Sequence, residues 1–453
     1  MKLLFSCFFI FLSSLNAVGQ LIDYEFTGTS NGILYTGERS PFWLHSNKRG
    51  RIDEKTYLSG LLSSSANIYL DEETYFKVGA GVLYQDGFTD KIQLDEIYVQ
   101  FTSPQFGFTA GRKQKEELFR GLSDTNQYIL WSLNARPLPG IQIYTTAPIF
   151  LNGENYGLGF KASLEEYIFD DDRFVKETRL HHKSFHFVFR NKSNLEISLG
   201  LQHFVQWAGI SPEFGKLPGG IDDYFDVFTG RAGDDAVGGQ EVNALGNQLG
   251  SVELQIKTKV NDVDVQFIYN TIFEDGSGLK GGNLPDGRYT FYVEDNRDTF
   301  WGTSWLKAFI YEFYYTKNQS RDRLSSAEDG ADNYFNNNLY RSGWTYENRV
   351  IGVPFILLND NRFRIGTNIV VVHHLGLQGK ILDKIPYNFL MSYRQNYGAK
   401  DSFFPEKKQV FSTLIDLELI NSNILLNLQL GADINSSTNS NFGLGLSLKK
   451  SFL

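Results

Sequence analysis

Cysteine is almost missing from this 453-residue chain, and the single one, Cys7, sits inside a leader-like apolar run. A disulfide framework, a zinc–thiolate site and a cysteine nucleophile are therefore excluded together for the rest of the chain. A basic excess is also lacking: 43 Lys and Arg stand against 52 Asp and Glu, a net charge of -9. Nucleic acid is ruled down as a partner. Beyond the leader there is no apolar run of about 18 residues, the length a transmembrane helix needs, and the nearest candidate, 137–153, is broken by Pro137, Pro139 and Pro148. The G-x-S-x-G, H-E-x-x-H and P-loop patterns are missing too, so no enzyme class and no cofactor is indicated.

What is present begins with that leader. Lys2 precedes the apolar stretch Leu3 to Leu15, and Ala17-Val18-Gly19 places small residues where a signal peptidase reads. The expected organisation is a signal peptide over 1–19 and one domain over 20–453, starting at Gln20. Glycine (43 residues) and aromatics (15%) are plentiful, while charged residues make up only 21%, a balance that leans toward β structure.

Period-two alternation then recurs along the chain. Leu195, Ile197, Leu199, Leu201, His203, Val205 and Trp207 share one face, and Glu196, Ser198, Gly200, Gln202 and Gln206 the other. Each such segment is a strand with one greasy and one wet side. Val252 to Val260 and Val263 to Tyr269 alternate likewise around Asn261-Asp262, a two-residue hairpin that keeps Val260 and Val263 on one face.

Connection lengths decide between a soluble sandwich and a membrane barrel. Short turns are expected at Asp71 to Glu73, Ser103 to Gln105, Asn191 to Asn194, Asn261 to Asp262, Asn359 to Asn361 and Asn421 to Asn423. Long loops are expected at Ala208 to Asn247, Glu274 to Arg288, Lys317 to Arg341, Leu377 to Lys384 and Gly398 to Lys407. Such asymmetry predicts an all-β fold: a transmembrane antiparallel β-barrel of about 18 strands, with short periplasmic turns and long extracellular loops, in the outer membrane. Helix formers in Lys113 to Thr125 predict a small helical plug or rim helix. The last strand alternates from Phe442 to Phe452, so Phe452 is the candidate signal for the barrel-insertion machinery, with outer-membrane lipid as the medium.

Other features have both bland and functional readings. The pairs His181-His182 and His373-His374 cannot chelate one ion as neighbours on a strand, because adjacent side chains point to opposite faces. They read as rim histidines before they read as metal or catalytic groups, and no metal site is expected. The acidic, glycine-rich loop 208–246, with Tyr224, Phe225 and Phe228, reads first as a solvated loop and second as a calcium or sugar-stacking site.

Three stretches are more specific: Ser40-Pro41-Phe42-Trp43-Leu44-His45-Ser46-Asn47 followed by Gly50, Thr109-Ala110-Gly111-Arg112, and Ser132-Leu133-Asn134-Ala135-Arg136-Pro137-Leu138-Pro139-Gly140-Ile141. Over residues 40 to 150 the chain resembles the Wzi family of capsule assembly proteins, with Leu138 where that family usually carries Ile. The resemblance implies a plugged, non-enzymatic outer-membrane barrel that helps hold capsular or extracellular polysaccharide at the cell surface. It makes Arg112, Asn134 and Arg136 candidate polysaccharide-binding residues, with Tyr224, Phe225 and Trp301 as candidate loop aromatics. Arginine suits a sugar carboxylate through its planar fork, although Arg136 before Pro137 also reads as a structural corner whose guanidinium pairs with lumenal acids. The alternative on size and polar strand faces alone is a passive diffusion porin for small solutes.

Overall fold

Eighteen alternating segments close into one antiparallel barrel in the computed structural model, which describes residues 22–233, 244–274, 281–297, 305–319, 332–400, 402–436 and 438–452. The expected leader 1–19 and Trp301 lie outside the described residues. The first strands are β1 (Ile22–Tyr35), β2 (Leu58–Tyr69), β3 (Tyr75–Gln85), β4 (Ile92–Thr102), β5 (Phe106–Arg112) and β6 (Pro139–Thr145). There follow β7 (Gly157–Ile168), β8 (Arg179–Arg190), β9 (Glu196–Trp207), β10 (Asn247–Val260), β11 (Val263–Asn270) and β12 (Gly287–Asp295). The circuit is completed by β13 (Ala308–Tyr315), β14 (Val370–Ile381), β15 (Ile385–Ala399), β16 (Ser402–Asn421), β17 (Ile424–Asn435) and β18 (Asn441–Ser451). Each pairs with its chain neighbour, and β18 returns to β1 in a register running from Thr27↔Ser451 to Tyr35↔Gly443. Closure leaves no unpaired sheet edge to meet lipid.

The greasy faces point outward. Phe185, Phe187 and Phe189 on β8, Leu199 and Leu201 on β9, and Leu444, Leu446 and Leu448 on β18 are all exposed, whereas Ser198, Gly200 and Gln202 face a crowded interior. Such a belt of exposed large side chains is stable only against lipid. The Asn261-Asp262 hairpin forms as expected: both residues take left-handed φ (47° and 65°), and Val260 pairs with Val263.

Three expected connections differ. Leu377 to Lys384 is the end of β14 plus a tight turn into β15, not a long loop. Gly398 to Lys407 is a β15–β16 hairpin that overhangs the long-loop rim, where no lipid demands an apolar face and the strand reads as polar loop. Asn359 to Asn361 is not a barrel turn; it joins a small two-stranded ribbon (Leu357–Leu358 with Ile365–Thr367) inside the lumen.

The lumen is filled by connections from the long-loop rim: 36–57, 113–138 and the described part of 316–369. Trp43, Leu44, Leu122, Ile129, Leu130, Trp344, Ile351, Val353 and Phe355 form one core with wall residues Phe204, Tyr314 and Val372. The first connection contributes a helical turn, α1 (Phe42–His45). Asp433 of β17 accepts the Phe42 N–H at 2.9 Å, Phe42 stacks on Phe355 at 5.4 Å, and the Trp43 indole donates to Ser392 Oγ at 3.2 Å. The stretch Lys113 to Thr125 is lumenal, as expected of a plug, but carries only a 3-10 turn at Phe119–Gly121 in place of an α-helix. Its backbone is claimed locally instead: Asn126 Oδ1 accepts the Leu118 N–H at 2.6 Å, and Glu312 of the wall accepts Asp124 N–H at 2.8 Å and Ser123 Oγ–H at 2.7 Å. A second helix, α2 (Ile221–Thr229), belongs to the 208–246 connection and lies outside the barrel.

A rim cleft built around two arginines

The stretch Thr109 to Arg112 ends β5 at the long-loop rim, and Gly111 there is a geometric necessity. Its φ is +113°, and a Cβ would stand 2.2 Å from the Ile97 carbonyl oxygen. The constraint delivers Arg112 to the edge of the plug. Arg136 arrives from the third motif and crosses Gly50, whose φ is +66° and whose missing Cβ would lie 2.4 Å from Arg136 Cγ. The glycine that follows the first motif is thus the floor on which the arginine of the third one rests.

The two arginines meet at Glu347, on the plug connection between β13 and β14. Arg136 donates to Glu347, to the Leu94 carbonyl, and to Gln93 Oε1 at 2.9 Å. Arg112 donates to Tyr346 Oη at 2.8 Å and to Asp170 Oδ2 at 2.5 Å, and lies 3.9 Å from Glu347. Tyr346 in turn donates to Asp170 Oδ1 at 2.5 Å. Burial holds the Glu347 carboxyl above its usual range even though the Arg136 and Arg112 guanidiniums act to lower it. Arg136 is nearly fully enclosed and braces the plug to β4. Arg112 keeps N–H groups uncommitted beside the half-exposed Asp170.

Above this network opens a cleft of about 590 Å³, lined by the β3–β4 turn from Thr89 to Lys91, by Gln93, and by Arg112, Arg136 and Glu347. Lys91 is exposed at the mouth and makes no ion pair among the described residues. Asp90 and Glu347 also line the cleft, Glu347 paired with Arg136; against them stand the Lys91 ammonium, the partly committed Arg112 guanidinium and amide and hydroxyl groups, a mixed lining suited to a polyhydroxylated anion. A second cavity, of about 570 Å³, lies beneath the plug and reaches the short-turn rim, where Lys161, Arg190 and Lys257 line its wall.

The other candidates are placed elsewhere. Asn134 is buried in the plug, accepting the Asn47 N–H at 3.2 Å and donating to the Val350 carbonyl at 2.9 Å, so it ties the first and third motifs to the β13–β14 connection. Tyr224 and Phe225 sit on α2 against β8 and β9, away from the arginine cleft; Tyr224 donates to Glu166 Oε1 at 2.8 Å and Phe225 is exposed. The histidine pairs do split across the wall: His182 and His374 are lumenal, with His374 bonded to the Leu122 carbonyl at 2.8 Å, while His181 lies under α2 and His373 meets Tyr311 outside. Among the described residues no cluster of His, Cys, Asp and Glu has the arrangement to hold a metal ion. Reading the sequence missed Asp170, Tyr346, Glu347 and Lys91. The acidic run Asp170-Asp171-Asp172 directly after an alternating strand was the one available signal for them.

Comparison with known proteins follows the same lines. Residues 46–355 match the family described as Capsule assembly protein Wzi, a span that takes in the end of the first plug connection, all of the second and most of the third. No curated protein matches the sequence significantly. Among solved structures, the barrel is similar to the Wzi of Escherichia coli, described as an outer membrane protein involved in group 1 capsule assembly and a carbohydrate-binding β-barrel. The two share 13% identity over 94% of this chain and 83% of that one, with a TM-score of 0.61. More distant likeness is found to OccAB4 of Acinetobacter baumannii (8% identity, 96% and 98% covered, TM-score 0.47) and to OprD of Pseudomonas aeruginosa (8%, 95% and 94%, 0.46). With more than half its length matched, and with a closed barrel whose outer belt is apolar, the chain is a multi-pass barrel of the outer membrane and belongs to the Wzi family of capsule assembly proteins.

Proposed function

We propose that this barrel is a non-enzymatic anchor that binds exported acidic polysaccharide at the long-loop rim and holds it to the cell surface. The observation that carries the reading is the rim cleft, where Arg112, Arg136 and Lys91 converge above a lumen filled by packed side chains. In this assignment Arg112 and Lys91 contact the sugar acid, and Arg136 positions the cleft by fixing Glu347 and β4. Asn134 acts only through the plug. The contacts do not include Tyr224 and Phe225, which stand on another flank. Family membership supports the capsule role, and the carbohydrate binding described for the Escherichia coli protein supports the ligand class.

The test compares cell-bound and released polysaccharide in a deletion strain and in strains carrying Arg112→Ala with Lys91→Glu. Deletion should leave synthesis intact and shift polysaccharide into the medium, and the double variant should do the same with normal barrel levels. Single-channel recording on the purified protein accompanies this. Unchanged attachment together with large, steady currents would refute the anchor and favour a diffusion porin.

A further inference from the structure

The nine residues of α2 are rigidly bounded: Asp223 Oδ2 accepts the Gly220 N–H at 2.7 Å, and Gly230, at φ 69°, closes the C-terminus. At about 100° per residue they fall into three faces. Val227 and Tyr224 pack on Val205, Trp207 and Leu245 outside the barrel wall. Asp222, Asp223 and Asp226 occupy a second face. Ile221, Phe225 and Phe228 form the third, and they are 69%, 60% and 39% exposed.

The level of this helix on the barrel is fixed by β8. Lys183 donates to the Phe228 carbonyl and lies under the Phe228 ring at 4.5 Å. Two positions further along β8 is Phe185, paired with Leu201, where the lipid belt begins. At the usual strand rise the apolar face of α2 is therefore within about 7 Å of the belt's upper edge. The helix also covers outward-facing groups that would otherwise meet lipid: the His181 ring lies 5.5 Å from Phe228 and 5.6 Å from Tyr224.

We infer that α2 is a membrane-interface foot, seating Ile221, Phe225 and Phe228 in the acyl chains of the outer leaflet beside β8 and β9, with its aspartates turned to water. The occupant is lipid because the apolar face is continuous with the belt and carries no charge, while every acid of the helix is on the opposite side. The inference is independent of the sugar reading, since it concerns another flank of the barrel. It ties the part of the connection from 208 to 233 down beside the rim.

A label placed at a new cysteine tests it, because Cys7→Ser leaves no other thiol in the chain. Environment-sensitive fluorophores at Phe225→Cys, Asp226→Cys and, as a belt reference, Phe187→Cys are compared in phosphatidylcholine–phosphatidylglycerol vesicles carrying a doxyl quencher near the headgroup. Heat-modifiable mobility verifies that each barrel is folded, and Ile221→Cys replaces Phe225→Cys if that label blocks assembly. The position-225 label should be quenched by lipid about threefold or more beyond the position-226 label and approach the belt reference, as expected for an apolar helix face buried to a shallow depth. Equal quenching of the two helix labels by aqueous iodide would overturn the inference. So would shielding of position 225 that tracks dimer formation and disappears at high lipid-to-protein ratio, since the occupant would then be a second copy.

Discussion

Replacing Arg136 with Met should loosen the plug far more than the same change at Arg112. Both guanidiniums meet carboxylates, but in different surroundings. The Arg136 side chain is 3% exposed and its partner Glu347 20% exposed, whereas Asp170 beside Arg112 is 46% exposed and water can take over from the lost guanidinium. Removing one member of an enclosed pair leaves Glu347 with only the more distant Arg112, 3.9 Å away, so Arg136→Met should cost about 3 kcal/mol, the lower end of the range for a broken buried pair. Arg112→Met should cost about 1 kcal/mol, in the range of a screened pair. Adding Glu347→Gln to Arg136→Met removes the stranded charge and should recover about half of the loss or more. Trp43, Trp131 and Trp344 are all in the plug core, so urea-dependent tryptophan emission reports the plug once Trp207, Trp301 and Trp305 are replaced by Phe in every variant compared. Planar-bilayer recording is the second readout: wild type should be closed and Arg136→Met should show openings. Equal losses at the two arginines, or an Arg136→Met midpoint within about 0.5 kcal/mol of wild type, would refute this account of the brace.

Gly50→Ala should act on the same brace from beneath, combining a left-handed backbone with a Cβ placed 2.4 Å from Arg136 Cγ, at about 2–4 kcal/mol in the same urea assay. His45, enclosed in the plug and facing Arg349, has its imidazole pulled down to about 3 by burial and by that cation. Since the folded value is depressed, the unfolded chain binds the proton more readily, and plug stability should fall as pH drops from the ordinary histidine value toward 3, by up to about 1.4 kcal/mol per pH unit. His45→Gln should flatten the difference between pH 6 and pH 4; an unchanged slope would show that His45 is not the group responsible. At the other end of the barrel, Phe452 packs on Phe26 at 5.3 Å on the outer face, and Phe452→Ala should lower the amount of barrel reaching the membrane without altering sugar binding by what is inserted. Wild-type insertion levels would dismiss a terminal signal at that residue.

The belt was legible in the sequence because lipid imposes one rule on the strand faces it touches, as at Leu199, Leu201 and Val260. The turns at Asn261-Asp262 and Asn191 to Asn194 were legible for the same local reason. Legibility failed where tertiary contact overrides local pattern. Gly379 breaks the alternation of β14 because a Cβ there would stand 1.8 Å from the Trp305 carbonyl, and a glycine beside lysine reads as loop. Lys113 to Thr125 has helix formers, yet wall acids such as Glu312 claim its backbone. At the cleft, Arg112 and Arg136 stood out because their motifs are compact, but Glu347 is 211 positions from Arg136 and no spacing rule links them. Nor does hydrophobicity tell which side of the wall a loop will lie on: Phe225, a candidate loop aromatic in the sequence, stands on a helix at the outer flank of the barrel.

The plug's discontinuity bears on how the molecule is made. Its pieces come from 36–57, 113–138 and the connection before β14, so none of them is a unit that can be completed as the chain emerges. The β1–β18 seam needs residues up to Ser451, and Trp43 finds Ser392 only after β15 exists. Contacts of such sequence separation carry a large loop-closure cost before any is repaid, which makes the assembly slow and all-or-none. During that interval both the belt and the plug's aromatic core are exposed to aqueous solvent, the condition under which chains associate wrongly. Filling the lumen with wall-to-plug contacts therefore ties the stability of the finished barrel to a long exposed interval before it, because the chain closes once, around its own loops.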